Sequence, residues 1–481
     1  MHFNRKKLTA FLIVHILIFS FIPFPVRATF EQNQEAAEAR KLLPIESNLI
    51  ENWPAGPAIG AAGAILYEAN TGVILYEKNI HEIQYPASTT KIMTCLLAVD
   101  HANLNDMIPF SYNAVHSIGR GTSNIGIDAG ESLTFEQALY GAMVASANEV
   151  CNGIAEYVGG DMETFAQMMT EKAHELGCQN TNFTNAHGLF DEDHYTTAYD
   201  LALIAAAYFK HEMLAKIGNT VSYHFTPTDT QPDDFVVRNK HRLINGEIQT
   251  NYNILGGKTG YTNASRQTLV TAAEKDGMRL ICVILKEETP EQFNDTVKLF
   301  DYGFSNFQIV NVADHEKRYT IENASFFRTG NDIFGDSSPL LSLNRDDYLV
   351  MPRTTDFSSL DADITYNNER SSAIAEIIYS YNGAYLGTAT IDFASENRST
   401  YDFDHQMPFE VAEEPIQDEE NIIFINVKQV IFIIIIVASL AILFFIFRSA
   451  MKRYHFTRRR KRRRRKPVRK SKRDRFKGYY L

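Results

Sequence analysis

Residues 429–447 form an uninterrupted apolar run, QVIFIIIIVASLAILFFIF, that contains no charged side chain. A helix needs roughly 20 apolar residues to cross the hydrocarbon core of a bilayer. A helix on the surface of a globular core would carry a polar face, and this run has none. The run therefore predicts a C-terminal transmembrane helix, which places the two flanking parts of the chain on opposite sides of a membrane.

The two parts also differ in the sign of their charge. Residues 448–481 hold 18 of the 47 Lys and Arg residues and one acid, which leaves 29 basic and 57 acidic residues in the remainder. The positive-inside rule places this polybasic tail in the cytosol. We expect the tail to meet anionic membrane lipids, and we favour that interpretation over nucleic-acid binding, which a basic stretch also permits.

A second apolar run, LTAFLIVHILIFSFI, lies near the N-terminus after the basic stretch RKK and before Ala28. A basic stretch, an apolar run and a small residue at the cleavage position are typical of a secretory signal peptide. We predict a signal peptide over residues 1–28, with an uncleaved anchor as the alternative. Both interpretations export the segment that follows, so we expect a single-pass cell-membrane protein with residues 29–428 outside.

Secondary-structure signals in residues 56–307 predict an α+β domain. They include a hairpin around Asn70-Thr71-Gly72, a helix that begins with capping-box spacing at Thr134 and Gln137, and a strand pair that turns at Lys275-Asp276-Gly277. Helices that lie between hairpins, without alternating strand–helix units, favour α+β over a parallel sheet.

The segments on either side of this domain differ from it in their residue patterns. Residues 308–405 read as short strands, with a strong hairpin signal at Asn382-Gly383, and predict a small all-β domain. Residues 29–55 form a polar lead-in, and residues 406–428 form an acidic linker.

Neither the cysteines nor the histidines predict a metal site. The chain has four cysteines, Cys95, Cys151, Cys178 and Cys282. Their wide spacing predicts buried free thiols rather than a zinc or redox motif. His187 and His194 enclose three acidic residues, but the spacing fits no common ligand pattern. We therefore expect no metal and no cofactor.

Residues 86–91, PASTTK, place Ser88 three positions before Lys91, just ahead of an apolar helical segment. Residues at i and i+3 share one face of a helix. In the first helical turn, unpaired N–H groups and the helix dipole favour developing negative charge. A serine hydroxyl needs a base to act as a nucleophile, and lysine can be that base when burial or another cation lowers its pKa. The pair indicates a nucleophile and its base.

Two more short motifs follow, SAN at 146–148 and GKTG at 257–260. Each motif is weak by itself, because S-x-x-K recurs at residues 449–452 and S-x-N occurs at five places. Their order within the exported α+β region is the specific signal.

In these motifs the chain resembles the low-molecular-mass penicillin-binding proteins of the serine-type D-alanyl-D-alanine carboxypeptidase family. The flanks TGVILYEKN, NAHGLFDEDHYTTAYDLALI and DYGF resemble the family as well, so that the likeness spans about residues 55–305. The resemblance implies a penicillin-binding-protein/β-lactamase-like transpeptidase domain. It also implies removal of the terminal D-alanine from peptidoglycan stem pentapeptides, and covalent inhibition by β-lactam antibiotics.

The resemblance implies three catalytic roles. Ser88 would form an acyl-enzyme with the penultimate D-alanine, and Lys91 would take its proton. Ser146 would relay a proton to the leaving amine. The backbone N–H groups of Ser88 and Tyr261 would form the oxyanion hole.

It also implies four binding roles. Asn148 would hold the peptide amide, while Lys258 and Thr259 would bind the terminal carboxylate. Lys258 would in addition help to keep Lys91 neutral. Gly260 would let the edge of a strand approach the substrate, because a side chain there would block it.

The chain departs from the family pattern in two places: Arg266 stands where glycine is usual, and a spanning helix replaces an amphipathic anchor. Three alternatives stay open. One is a membrane-anchored β-lactamase, although SDN would be usual where this chain has SAN. The others are a penicillin-sensing protein and a Ser-His-Asp triad that uses His187 and Asp200.

Overall fold

A computed structural model of the chain describes residues 30–119, 121–318, 341–366 and 373–393. They all belong to the first of two units, Met1–Arg398. The predicted signal peptide, acidic linker, transmembrane helix and basic tail lie outside the described residues. Within the described ranges, the structure has no helix long and apolar enough to cross a bilayer.

The strands are β1 (Gly63–Glu68), β2 (Ile74–Lys78), β3 (Met107–Pro109), β4 (Ser132–Thr134), β5 (Ser222–Phe225), β6 (Phe235–Arg238), β7 (Asn253–Thr262), β8 (Arg266–Lys275), β9 (Met278–Glu287), β10 (Phe307–Asn311), β11 (Leu341–Leu343), β12 (Tyr348–Pro352), β13 (Asp361–Tyr366), β14 (Ala375–Tyr381) and β15 (Ala384–Phe393). The helices are α1 (Phe30–Arg40), α2 (Lys91–Val99), α3 (Tyr112–His116), α4 (Phe135–Tyr140), α5 (Asn148–Gly159), α6 (Met162–Glu175), α7 (Ala198–Lys210), α8 (Glu212–Gly218), α9 (Glu291–Asn306) and α10 (Val312–His315).

A five-stranded antiparallel sheet, in the order β2-β1-β9-β8-β7, forms the centre of the fold. The predicted hairpins are confirmed: β1 pairs with β2, and β8 pairs with β9 across the turn at Asp276-Gly277. Alternate residues of a strand face opposite sides of its sheet. Ile65 accordingly joins the apolar core on the helical side, and Leu66 joins the core on the side of α9. Strand β7 lies at the edge.

Helix α2 is the central helix on the helical side of the sheet, opposite α9. It packs against α5, α6 and α7. Every residue from Lys91 to Ala98 is buried, which accounts for the nearly continuous apolar sequence of this helix. The four cysteines are buried free thiols, as predicted.

The described residues from Phe307 onward are mainly β-structure. Strands β11, β15, β14 and β13 form a four-stranded sheet, and β10 pairs with β12. The hairpin predicted at Asn382-Gly383 is confirmed as the β14–β15 connection. Apolar residues of these strands share a core with α9, since Val350 and Ile377 belong to the same buried cluster as Phe300.

The lead-in is more ordered than its polar sequence suggests. Residues 30–40 form α1, although this helix buries only Ala37. Contacts with distant backbone hold the segment: Arg40 Nε donates to the carbonyl of Gly60 at 2.6 Å, and Trp53 Nε1 donates to the carbonyl of Leu75 at 3.1 Å. Tertiary hydrogen bonds therefore hold the lead-in in place, although its local residue pattern predicts little structure.

Candidate active site

Ser88 lies in a short 3₁₀ turn, Ala87–Thr90, that leads directly into α2. The sequence predicted Ser88 within the first turn of the α-helix itself, but the α-helix begins at Lys91. The spacing has the expected effect nevertheless. Lys91 Nζ lies 2.9 Å from Ser88 Oγ, within hydrogen-bond distance.

Lys91 Nζ has three oxygen neighbours. Besides Ser88 Oγ, it donates to Asn148 Oδ1 and to the backbone carbonyl of His187, each at 2.7 Å. The two carbonyl oxygens can only accept, whereas the serine hydroxyl can donate. A neutral amine has two N–H donors and one lone pair, so it matches two carbonyls and one hydroxyl. The arrangement therefore suits a lysine that accepts the proton of Ser88.

The environment of Lys91 favours that neutral form. Its side chain is fully buried, and burial lowers the pKa of Lys91 to about 8. Among nearby charges, the carboxylate of Glu149 raises the pKa of Lys91 and the ammonium group of Lys240 lowers it, so burial sets the direction. Burial disfavours the charged form of an amine because water no longer solvates it.

Ser146 and Asn148 lie at a helix break that contacts Lys91 through Asn148 Oδ1. The predicted capping box of Thr134 and Gln137 is confirmed at the start of α4. A π-turn, Gly141–Ala145, follows α4, and Ser146 then takes a left-handed conformation with φ 61°. This reversal starts α5 at Asn148, whose backbone N–H donates to the carbonyl of Ser123 at 2.9 Å.

Lys258 approaches this break from the edge strand β7. Its Nζ donates to Ser146 Oγ at 3.0 Å and to the carbonyl of Thr259 at 2.9 Å. Burial is the main cause that holds the pKa of Lys258 well below its usual value, and the nearby Lys91 lowers it further. Two buried lysines thus face one polar pocket, and their repulsion disfavours charging both at once.

Gly260 brings β7 into contact with the turn that carries Ser88. A Cβ atom at this position would lie 2.8 Å from the backbone nitrogen of Ser88, closer than real contacts allow. The sequence explained this glycine by the approach of a substrate; the structure adds that the Ser88 turn also needs the space. The next residue, Tyr261, is half-exposed.

The structure thus brings the predicted residues of all three motifs together. Sequence reasoning missed the carbonyl of His187, because a backbone acceptor leaves no side-chain signal. It also missed Lys240, whose Nζ donates to Ser123 Oγ at 3.4 Å near the start of α5.

The histidine alternatives have other partners. The ring Nδ1 of His187 accepts from the backbone N–H of Leu189 at 3.1 Å. The carboxylate of Asp200 accepts from Asn180 N and Thr181 Oγ1, each at 2.7 Å. Lys91, rather than a histidine, is therefore the basic side chain within hydrogen-bond distance of Ser88 Oγ. Across the described part of the chain, His, Cys, Asp and Glu do not gather into a group of three that could hold a metal ion.

Comparisons with known proteins agree with this geometry. The family profile described as D-alanyl-D-alanine carboxypeptidase matches residues 50–289. The chain is 36% identical over 309 residues to the D-alanyl-D-alanine carboxypeptidase DacF of Bacillus subtilis, covering 63% of this chain and 72% of that protein. It is 29% identical over 279 residues to the D-alanyl-D-alanine carboxypeptidase DacC of Escherichia coli, covering 56% of this chain and 68% of that protein.

Solved structures support the fold. Penicillin binding protein 5 from Haemophilus influenzae has a TM-score of 0.57 and 24% identity, covering 70% of this chain and 98% of that one. Penicillin binding protein 6B from Escherichia coli has a TM-score of 0.53 and 22% identity, covering 70% and 97%. The expected penicillin-binding-protein-like α+β fold is therefore confirmed. By its sequence relatives, the chain belongs to the D-alanyl-D-alanine carboxypeptidase family of serine peptidases.

Proposed function

We propose that Ser88 is the nucleophile with which this serine peptidase removes the terminal D-alanine from peptidoglycan stem pentapeptides. The observation that carries the proposal is the 2.9 Å contact between Ser88 Oγ and Lys91 Nζ, a lysine whose pKa burial lowers to about 8. A serine hydroxyl with an adjacent base is the arrangement that nucleophilic catalysis requires.

In acylation, Ser88 Oγ attacks the carbonyl carbon of the penultimate D-alanine while its proton passes to Lys91. The backbone N–H groups of Ser88 and Tyr261 stabilise the resulting oxyanion. Ser146, which accepts from Lys258, then delivers a proton to the amine of the departing D-alanine. Water hydrolyses the ester on Ser88, and the shortened peptide leaves.

Binding of the substrate uses the remaining motif residues. Lys258 and Thr259 meet the terminal carboxylate. The Oδ1 atom of Asn148 accepts from Lys91, so its amide N–H₂ is the group that can donate to a peptide carbonyl. A β-lactam ring would acylate Ser88 by the same route and act as a covalent inhibitor.

The proposed reaction can be tested with the full-length protein in detergent. The wild type should release D-alanine from a stem pentapeptide and should form a penicilloyl adduct that mass spectrometry places on Ser88. Ser88→Ala should lose both activities and keep its circular dichroism spectrum. A stable adduct in Ser88→Ala would assign the nucleophile to another residue, and rapid release of hydrolysed penicillin would identify a β-lactamase instead.

We propose further that residues 429–447 anchor the protein in the cell membrane, with the catalytic region outside and residues 448–481 in the cytosol. The uncharged apolar run and the +17 charge of the tail support this topology. Anionic lipids are the proposed partners of the tail. Protease added to intact cells should remove the catalytic region and spare an epitope on the tail; a protected catalytic region would contradict the topology.

A further inference from the structure

We propose that His194 is a positioning residue that holds the turn bearing Ser88 in its reactive conformation, acting through the hydroxyl of Thr90. The proposal rests on the assignment of Ser88 as the nucleophile. It concerns a residue outside the three motifs, on the segment that follows α6.

The hydrogen bonds of His194 determine which ring nitrogen carries the proton. Its side chain is buried, with 2% of the residue exposed. The backbone N–H of Thr184 donates to Nδ1 at 3.0 Å, so Nδ1 must present a lone pair. A neutral imidazole has one N–H, which therefore lies on Nε2. Burial lowers the pKa of His194 to about 4, in keeping with this neutral form.

The Nε2–H group points at a second buried side chain. His194 Nε2 lies 2.9 Å from Thr90 Oγ1, and Thr90 is fully buried. Since Nε2 is the donor, Thr90 accepts with a lone pair and keeps its own O–H free. That O–H donates to the carbonyl of Ala87 at 2.8 Å. Thr184, His194, Thr90 and Ala87 thus form one chain of hydrogen bonds with a single direction.

The end point of this chain is a strained residue next to the nucleophile. Ala87 has φ +50°, a left-handed conformation that costs a non-glycine residue roughly 1–2 kcal/mol. Such strain persists only where the surroundings enforce it. The carbonyl of the preceding Pro86 is held as well, by Thr89 Oγ1 at 2.7 Å and Thr268 Oγ1 at 2.9 Å.

The segment that carries His194 also contacts the turn directly. A Cβ atom at Gly188 would overlap the carbonyl oxygen of Ala87. One residue earlier, the carbonyl of His187 accepts from Lys91. The same segment therefore positions the base through His187 and the nucleophile turn through His194.

The Ala87 carbonyl and the Ser88 N–H belong to the same planar peptide group. The orientation of this carbonyl therefore sets the direction of the Ser88 N–H. Rotation of that peptide would turn the proposed oxyanion donor and would move Ser88 Oγ relative to Lys91. A displacement of about 1 Å of reacting groups can cost on the order of 10²-fold in rate. Loss of the relay should therefore slow acylation more than it weakens substrate binding.

Five full-length variants test the relay: His194→Phe, His194→Gln, Thr90→Val, the His194→Phe/Thr90→Val double variant and the control Thr296→Val. Thr296 is an equally buried threonine, but its hydroxyl donates to Gln292 within α9. We would measure the rate constant of acylation by a fluorescent penicillin, kcat and KM for the pentapeptide, and the thermal midpoint of each variant.

We expect His194→Phe and Thr90→Val each to slow acylation by about 10- to 100-fold, with KM changed by less than about threefold. His194→Gln, whose amide N–H₂ can replace the Nε2 donor, should recover most of the rate. Thr296→Val should lower only the thermal midpoint. The His194→Phe/Thr90→Val double variant should be no slower than the slower single variant, because both changes break one chain.

Three results would overturn the proposal. One is acylation at the wild-type rate in Thr90→Val, a variant that decides the question even if His194→Phe fails to fold. The others are equal slowing in His194→Gln and His194→Phe, which would indicate packing alone, and additive losses in the double variant. Failure of the nucleophile assignment would look different, because penicillin would then still label Ser88→Ala.

Discussion

Lys258 Nζ donates a hydrogen bond to Ser146 Oγ at 3.0 Å, although 112 positions of sequence separate the two residues. Lys91 Nζ makes the matching contact to Asn148 Oδ1 at 2.7 Å. Two lysines from different motifs therefore donate to side chains of the same helix break. The break, which is itself the SAN motif, is therefore the point at which the residues of the other two motifs meet.

The charge of Lys258 is the first feature to test. Lys258→Ala should lower kcat/KM for the pentapeptide by about 10²–10³-fold, the range typical of losing one preorganised electrostatic donor. Lys258→Arg keeps a cation and should retain more activity. Equal and mild losses in both variants would remove Lys258 from carboxylate binding and from the relay through Ser146.

The partnership of Ser88 and Lys91 predicts non-additive losses. Lys91→Ala should slow acylation by roughly 10²–10⁴-fold, as expected for loss of a general base. The Ser88→Ala/Lys91→Ala double variant should be no less active than Ser88→Ala alone, because residues that act as one unit do not add. D-alanine release by the three variants provides the measurement, and a further drop in the double variant would argue for separate roles.

The acylation rate should depend on pH with a defined sign. Lys91 can accept a proton only when neutral, and burial lowers its pKa to about 8. The rate of penicillin acylation should therefore rise from about pH 6, reach half of its plateau near pH 8, and level off above about pH 9. A flat profile between pH 6 and 9, with the protein folded throughout, would contradict the role of Lys91 as the base.

Arg266, the residue that departs from the family's glycine, should affect stability in two opposing ways. Its φ is +53°, so Arg266→Gly relieves roughly 1 kcal/mol of backbone strain. The same change removes an ion pair with the buried Glu288, at 2.6 Å from Nη2, and leaving a buried charge unpaired costs about 3–5 kcal/mol. Arg266→Gly should therefore lower the free energy of unfolding, and adding Glu288→Gln should restore much of it. A stabilising Arg266→Gly would show that the pair contributes little.

The predicted boundary between residues 307 and 308 can be tested by truncation. A chain ending at Phe307 would lose the strands that share a core with α9, leaving part of that core exposed. We expect it to label with penicillin in the cold, because the motif residues are all present, but to unfold several degrees below the longer chain. A soluble, folded truncation that does not label at all would show that the β-structure shapes the site.

The sequence by itself determined the local elements and indicated the candidate reacting groups. The capping box at Thr134, the turn at Asp276-Gly277 and the hairpin at Asn382-Gly383 all lie where the residue pattern predicts them. Such signals are reliable because a cap or a tight turn depends on neighbouring residues alone. The order of the three motifs likewise needs no coordinates.

Only the tertiary structure decided how these groups become a site. Nothing local predicts that Ala87 takes a left-handed conformation, or that the carbonyl of His187 accepts from Lys91. Both features depend on contacts with residues about 100 positions away in the sequence. The carbonyl acceptor also leaves no sequence signal, because every residue has a backbone carbonyl. The pKa of Lys91 is also a tertiary property, because it depends on burial among packed helices rather than on the side chain itself.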